Sequence, residues 1–353
     1  MAPHARPRTR IDRLARALTL AAAVAVGPVA ADPAVAQEVG RDSEVVFFRI
    51  ATAGVNGTYY PIGAIIGNAI SNPEGSRPCD QGGSCGVPNM IAAAVSSNGS
   101  VANVEAVEAG EIESGFAQAD VVHDAYYAEG AFAGRPAMRN LRVIANLYAE
   151  RLQVVARKGA GIDAIGDLAG KRVSLDEPGS GTLLMARMLL DAYGLAESDL
   201  VAEFLKAGPA ASLMHRGELD AFFIVAGVPT DAVAHLVQEG VADLVPMAED
   251  VIDRMLGKHL FLSRAPIEAG TYAEDAPALP TVGVGAQWIV AADTPEDRVY
   301  DICRALWNPA TRVLLDGGHP TGSQIRLETA LDGVDIPLHP GAARCYEDLG
   351  LRP

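Results

Sequence analysis

Short apolar runs alternate with longer stretches of helical periodicity along most of this chain. Residues 45–51, 90–95, 115–118, 171–175, 221–226 and 281–291 read as strands, continuously apolar or rich in β-branched residues. Residues 59–70, 101–109, 121–128, 182–193, 210–216, 231–238, 249–256 and 296–307 carry the spacing of helices. Two further strand-like runs, 141–147 and 152–157, follow each other closely, with Tyr148-Ala149-Glu150-Arg151 between them. Segments 200–205 and 243–246 continue the alternation, and the tail from Leu331 reads as irregular and Pro-rich. Such alternation predicts an α/β fold, with helices flanking mostly parallel sheets.

The N-terminus sets the compartment. Arg6, Arg8, Arg10, Arg13 and Arg16 precede an apolar run over 17–31, and Ala34-Val35-Ala36 supplies a small-x-small cleavage site. This is the layout of a cleaved signal peptide over residues 1–36, and it predicts a periplasmic protein. Gly27 and Pro28 interrupt the run, which is shorter than a membrane span needs. Residues 37–353 exceed what one hydrophobic core usually organises, so two lobes are expected. We place the boundary at 148–151 and let the run 281–291 return the chain to the first lobe. Lobe I is then 37–149 with 286–353, and lobe II is 150–285. An inserted lobe joined by two extended crossovers is the layout of hinged periplasmic binding proteins, with the ligand cleft at the hinge.

Charge narrows the partners. Removing residues 1–36 takes five Arg and two Asp and moves the formal charge from −16 to −19. So acidic a surface disfavours nucleic acid and anionic membranes, and no later run is long and apolar enough for membrane insertion. Cys79 and Cys85 bracket a short loop with two glycines, which in an oxidising compartment reads as a local disulfide. No second ligand pair accompanies them, so no metal site is expected. Cys303 and Cys345 are left open.

One turn pattern recurs three times: Gly54-Val55-Asn56-Gly57-Thr58, Ser97-Asn98-Gly99-Ser100 and Pro178-Gly179-Ser180-Gly181-Thr182, each before a helical stretch. Glycine lets the backbone approach a ligand, and the first-turn N–H groups with the helix dipole make a seat for an anion. Taken singly, Thr58, Ser100 and Thr182 could serve only as N-caps. Tyr59 fits a core or a cleft wall, and Gln118 ends a strand where α/β sheets place ligand contacts. The third turn is not G-x-S-x-G, no G-x-G-x-x-G or Walker loop occurs, and the histidines are scattered; His319 and His339, each before a Pro, read as loop residues. An exported serine hydrolase using Ser180 is the alternative from another class, and a periplasmic sensor or adaptor is a third.

With these residues in hand, the chain resembles the TAXI-type solute-binding subunits of tripartite (TRAP) transporters. The resemblance runs through Ala53-Gly54-Val55-Asn56-Gly57-Thr58-Tyr59-Tyr60-Pro61, Ser96-Ser97-Asn98-Gly99-Ser100, Gln118-Ala119-Asp120, Leu147-Tyr148-Ala149-Glu150, Pro178-Gly179-Ser180-Gly181-Thr182 and Val225-Ala226-Gly227-Val228-Pro229. It implies a two-lobed type II periplasmic-binding fold and no enzymatic activity or cofactor. The implied ligand is a small carboxylate or amino acid, glutamate-like or 2-oxoglutarate-like, passed to a TRAP membrane permease. By motif position the implied contacts are Thr58, Tyr59, Ser100, Asn103, Gln118, Ser180, Gly181 and Thr182, with Pro229 nearby. In this reading the helix start at 180–182 receives the ligand's carboxylate. The family often has Pro where this chain has Ala149 and Arg151; Arg151 either adds a cation near the cleft or lies solvated.

Overall fold

A computed structural model describes residues 45–352. The export segment read over 1–36 lies outside these residues. In chain order the first elements are β1 (Val46–Ala51), α1 (Tyr59–Ile70), β2 (Ser71–Asn72), β3 (Val87–Pro88), β4 (Met90–Val95), α2 (Ser100–Glu108), β5 (Ser114–Gln118) and α3 (Ala119–Tyr127). A long strand, β6 (Leu141–Arg157), leads to β7 (Arg172–Ser174), α4 (Gly181–Ala192), β8 (Val201–Glu203), α5 (Ala207–His215), β9 (Ala221–Ala226), α6 (Asp231–Gln238), β10 (Ala242–Leu244), α7 (Glu249–Lys258) and β11 (Ser263–Arg264). The chain returns through β12 (Val282–Ala291) to α8 (Glu296–Leu306), α9 (Pro309–Gly318) and α10 (Pro340–Asp348).

The main sheet runs in the order β4-β1-β5-β12-β6-β9-β7-β8. Each wing is parallel, β4-β1-β5 on one side and β9-β7-β8 on the other, and the antiparallel strands β6 and β12 join them. Crossover helices cover both faces of such parallel wings, which is why their strands read as continuous apolar runs. In the first wing Phe48, Phe116 and Trp288 pack under α1, α8 and α10, while Val104, Val121 and Ile289 fill the opposite face. In the second, Leu152 clusters with Met185 of α4 and Ile252 of α7, and Phe222 with Met214 of α5 and Val233 of α6.

The crossover strands change core partway along. Ile144, Leu147 and Tyr148 of β6 pack in the first wing, whereas Leu152 and Val154 pack in the second. On β12, Val282 and Val284 belong to the second wing and Ala286, Trp288 and Val290 to the first. Because both strands are shared, the described residues cluster as one compact unit.

Three readings need correction. The runs 141–147 and 152–157 are one 17-residue strand. Tyr148 and Glu150 stay extended because β6 pairs with β12 from Leu141 to Arg151 and with β9 from Arg151 onward. The tail is not irregular: α10 starts with Pro340 in its first turn, where the missing N–H costs nothing, and His339 Nδ1 caps it by accepting from Gly341 N at 3.2 Å. The Cys303–Cys345 disulfide ties α10 to α8. His319 likewise accepts from Thr321 N at 3.1 Å, so both histidines are caps rather than plain loop residues. Cys79 and Cys85 form the other disulfide. Among the described residues no helix is long and apolar enough to cross a membrane.

Candidate functional site

The carboxyl ends of β1, β4 and β5 in one wing face the turn after β7 in the other, and a cavity of about 60 Å³ lies between them. Of the nine expected contacts, Thr58, Tyr59, Ser100, Gln118, Ser180, Gly181 and Thr182 line it. Asn103 and Pro229 are not among the lining residues. The Asn103 amide instead donates to Thr52 O and Phe116 O, both at 2.7 Å, tying β1 to β5 behind the cavity. Pro229 follows a cis peptide bond beyond β9. A larger groove of about 820 Å³, walled in part by Tyr148, Phe261 and Val284, contains none of the expected residues.

The wings touch directly across the cavity. Thr58 Oγ1 donates to Gly227 O at 3.2 Å, Asn98 Nδ2 to Pro178 O at 3.3 Å, and Ala102 N to Gly179 O at 3.0 Å. Lys206 Nζ reaches Ser97 O at 2.9 Å while pairing with Glu177 at 3.0 Å. The glycines of the turns permit this approach. A Cβ on Gly181 would lie 2.3 Å from Gln118 Oε1, and one on Gly99, at φ +109°, would lie 3.3 Å from Ser180 Cα, a tight contact. This is the closed arrangement of the two wings.

The three helix starts differ. At α4, Ser180 Oγ accepts from Leu183 N at 3.0 Å, so the cap is Ser180 and not Thr182. Thr182 Oγ1 accepts from Val225 N at 3.1 Å. Both hydroxyls also face the Asp176 carboxylate and favour its charged form against burial, at the positive end of α4. Asp176 adopts φ +72°, a conformation Asp tolerates better than most residues. By contrast α1 and α2 begin without any side-chain cap. The Thr58 hydroxyl turns to the other wing, and Ser100 Oγ accepts from Gln118 N at 3.1 Å. Gln118 Oε1 is buried beside them with no partner.

Acids dominate the remaining wall. Glu150, on β6 at the change of core, is 1 % exposed and accepts from Tyr59 OH at 2.7 Å. Burial pushes its carboxyl up to about 8, against the Tyr59 bond and with help from Asp120. Burial likewise raises Asp176 and Asp120 each to about 6, and holds Tyr59 well above its ordinary value. Glu177 adds a third acid to the wall, and Lys206 is the cation on it. Arg151 is not on the wall: it donates to Ala149 O at 2.8 Å. Among the described residues no histidine lines the cavity.

Glu150, Asp176, Glu177 and Lys206 were not anticipated as site residues. For Glu150 a signal existed, an acid inside an otherwise apolar strand run. Asp176 and Lys206 come to the cavity only because α4 and α5 start there.

Two parallel wings on shared crossover strands, closed over a cavity at their carboxyl ends, define the two-lobed periplasmic-binding-protein fold. The solved structure of the periplasmic binding protein BugD superposes with a TM-score of 0.52 at 12 % identity, covering 87 % of this chain and 98 % of that one. A second structure, described as a periplasmic transporter, gives 0.50 at 16 % identity over 79 % and 89 % of the two chains. The chain belongs to the NMT1-like family, whose model matches residues 50–350.

Proposed function

We propose that this chain is an extracytoplasmic solute-binding protein. Residues 45–149 with 286–352 act as one lobe and 150–285 as the other, closing on a small organic acid or amino acid. The observation that carries this reading is the cavity between the wings, walled by both of them at the carboxyl ends of their strands. The uncapped starts of α1 and α2, with the unpartnered Gln118 oxygen beside them, support a seat for the solute's anionic end in the first lobe. The start of α4 is less suited to a carboxylate than the sequence suggested, because Asp176 already stands there. The basic and apolar segments of residues 1–36 support export to the periplasm. The TAXI-type resemblance supports delivery to a TRAP-type membrane permease.

Thermal unfolding of the purified protein against amino acids, mono- and dicarboxylates, sugars and ester probes tests this. A solute at about 100 times its dissociation constant adds about 2.7 kcal/mol of apparent stability. A selective rise with one small organic acid or amino acid is expected. No rise across the panel, with ester turnover, would overturn the reading in favour of a hydrolase.

A further inference from the structure

The charges around the cavity do not balance. Three acids line it, Glu150, Asp176 and Glu177, against one cation, and Lys206 is already bonded to Glu177 and to Ser97 O. Asp176 accepts from Glu177 N at 2.8 Å and faces the Ser180 and Thr182 hydroxyls, which favour its charged form. Glu150 has far less. One of its oxygens takes the Tyr59 hydroxyl at 2.7 Å, and the cation on the cavity wall, Lys206, pairs with Glu177 instead. Burying an ionised carboxylate with so little support is unfavourable, and burial shifts Glu150 toward its protonated form.

We propose that Glu150 is the group by which this site selects a solute carrying an ammonium, and that the arriving ammonium drives the proton off Glu150 into bulk water. This inference rests on the reading of the cavity as the solute site. The exchange balances: a protonated carboxyl and R–NH₃⁺ become a carboxylate–ammonium pair plus one H⁺ released to solvent. A zwitterion then spans the cavity, its carboxylate at the starts of α1 and α2 and its ammonium toward Glu150. A keto acid of the same outline offers Glu150 only an acceptor, which the protonated form can bond without releasing anything.

The groups facing Glu150 are Tyr59 from α1, Asp120 from α3 and Tyr148 on its own strand. Asp176, Glu177 and Lys206 close the cavity from the second wing. Asp120 and Asp176 titrate near 6, so any slope they contribute lies mostly below the Glu150 range and survives its replacement.

Calorimetry with two matched pairs, L-alanine with pyruvate and L-glutamate with 2-oxoglutarate, tests the proposal in phosphate and in Tris at pH 7. The amine of at least one pair binds, releases close to one proton, and gains affinity approaching tenfold per pH unit between pH 6 and 8. Glu150→Gln keeps an acceptor for Tyr59 but has no proton to lose. It binds the same amine at least 30-fold more weakly, with proton release and the slope above pH 6 abolished. Tight amine binding without proton release in the unmodified protein overturns the proposal even where the variant does not fold. If only keto acids bind, solute capture stands and the role of Glu150 falls. If none of the four binds and the wider panel is also silent, both fall together.

Discussion

The start of α4 and the starts of α1 and α2 descend from the same glycine-and-hydroxyl turn, yet the fold uses them differently. At α4, Ser180 caps the helix, Thr182 braces β9, and Asp176 stands at the positive end. At α1 and α2 the hydroxyls of Thr58 and Ser100 point to other partners and no side chain caps the first turn. The first wing therefore offers helix starts without a side-chain cap, with Ala102 N of α2 already bonded to Gly179 O, while the second offers a finished, acidic surface. What separates them is the chain beyond the motif: an acid four residues before Ser180 folds back onto its own helix start, and nothing equivalent precedes Thr58 or Ser100.

The largest effect expected from this asymmetry is in the pH dependence of the solute-free protein. Glu150 faces the open side with its carboxyl raised to about 8, above the ordinary 4.5. A carboxyl raised in the folded state adds stability that is complete below its unfolded value and is lost as pH rises through the folded one. Stability should thus fall between about pH 5 and 9, by roughly 3–5 kcal/mol from this group. Glu150→Gln should flatten the fall in urea unfolding series; an equal fall in the variant would place its origin elsewhere.

Next comes contact between the wings. Gly181→Val puts methyl groups where Gln118 Oε1 and Ser100 Oγ now sit, 2.3 and 2.9 Å from a Cβ at that position. Solute affinity should drop about 30-fold, some 2 kcal/mol, with a larger radius of gyration in X-ray scattering. Unchanged affinity would mean that this approach of the two helix starts is not needed for binding.

The two smallest effects address the comparison itself. Ser180→Ala removes a working cap and should cost about 1 kcal/mol in thermal unfolding. Thr58→Val removes no cap, and Gly227 O keeps its bond from Thr230 Oγ1 at 2.7 Å, so the cost should stay near 0.5 kcal/mol or less. Equal costs would erase the distinction between a capped and an uncapped start.

Much of this was legible in the chain. Residues 59–70, 90–95, 221–226 and 231–238 match α1, β4, β9 and α6 at both ends, because buried strands and amphipathic helices have different periods and glycines mark their limits. The recurrence of the turn brought seven of the nine expected residues to one cavity, since parallel strands in α/β layers all end on the same side. The apolar run of 281–291 and the junction at 148–151 fall on the two strands that the wings share, β12 and β6.

Only the tertiary structure decided what each of those residues does. Asn103 and Gln118 are both buried amides whose oxygens lack a partner among the described residues, but the Asn103 NH2 ties strands together behind the cavity while Gln118 lines it; the difference lies in which carbonyls surround them. The merging of two predicted strands into β6 needed partners on both sides, β12 and then β9, far away in sequence. The acidity of the cavity had the same origin. Glu150, Asp176 and Glu177 are unremarkable in an acidic chain until closure buries them together, and burial is a property of the assembled wings.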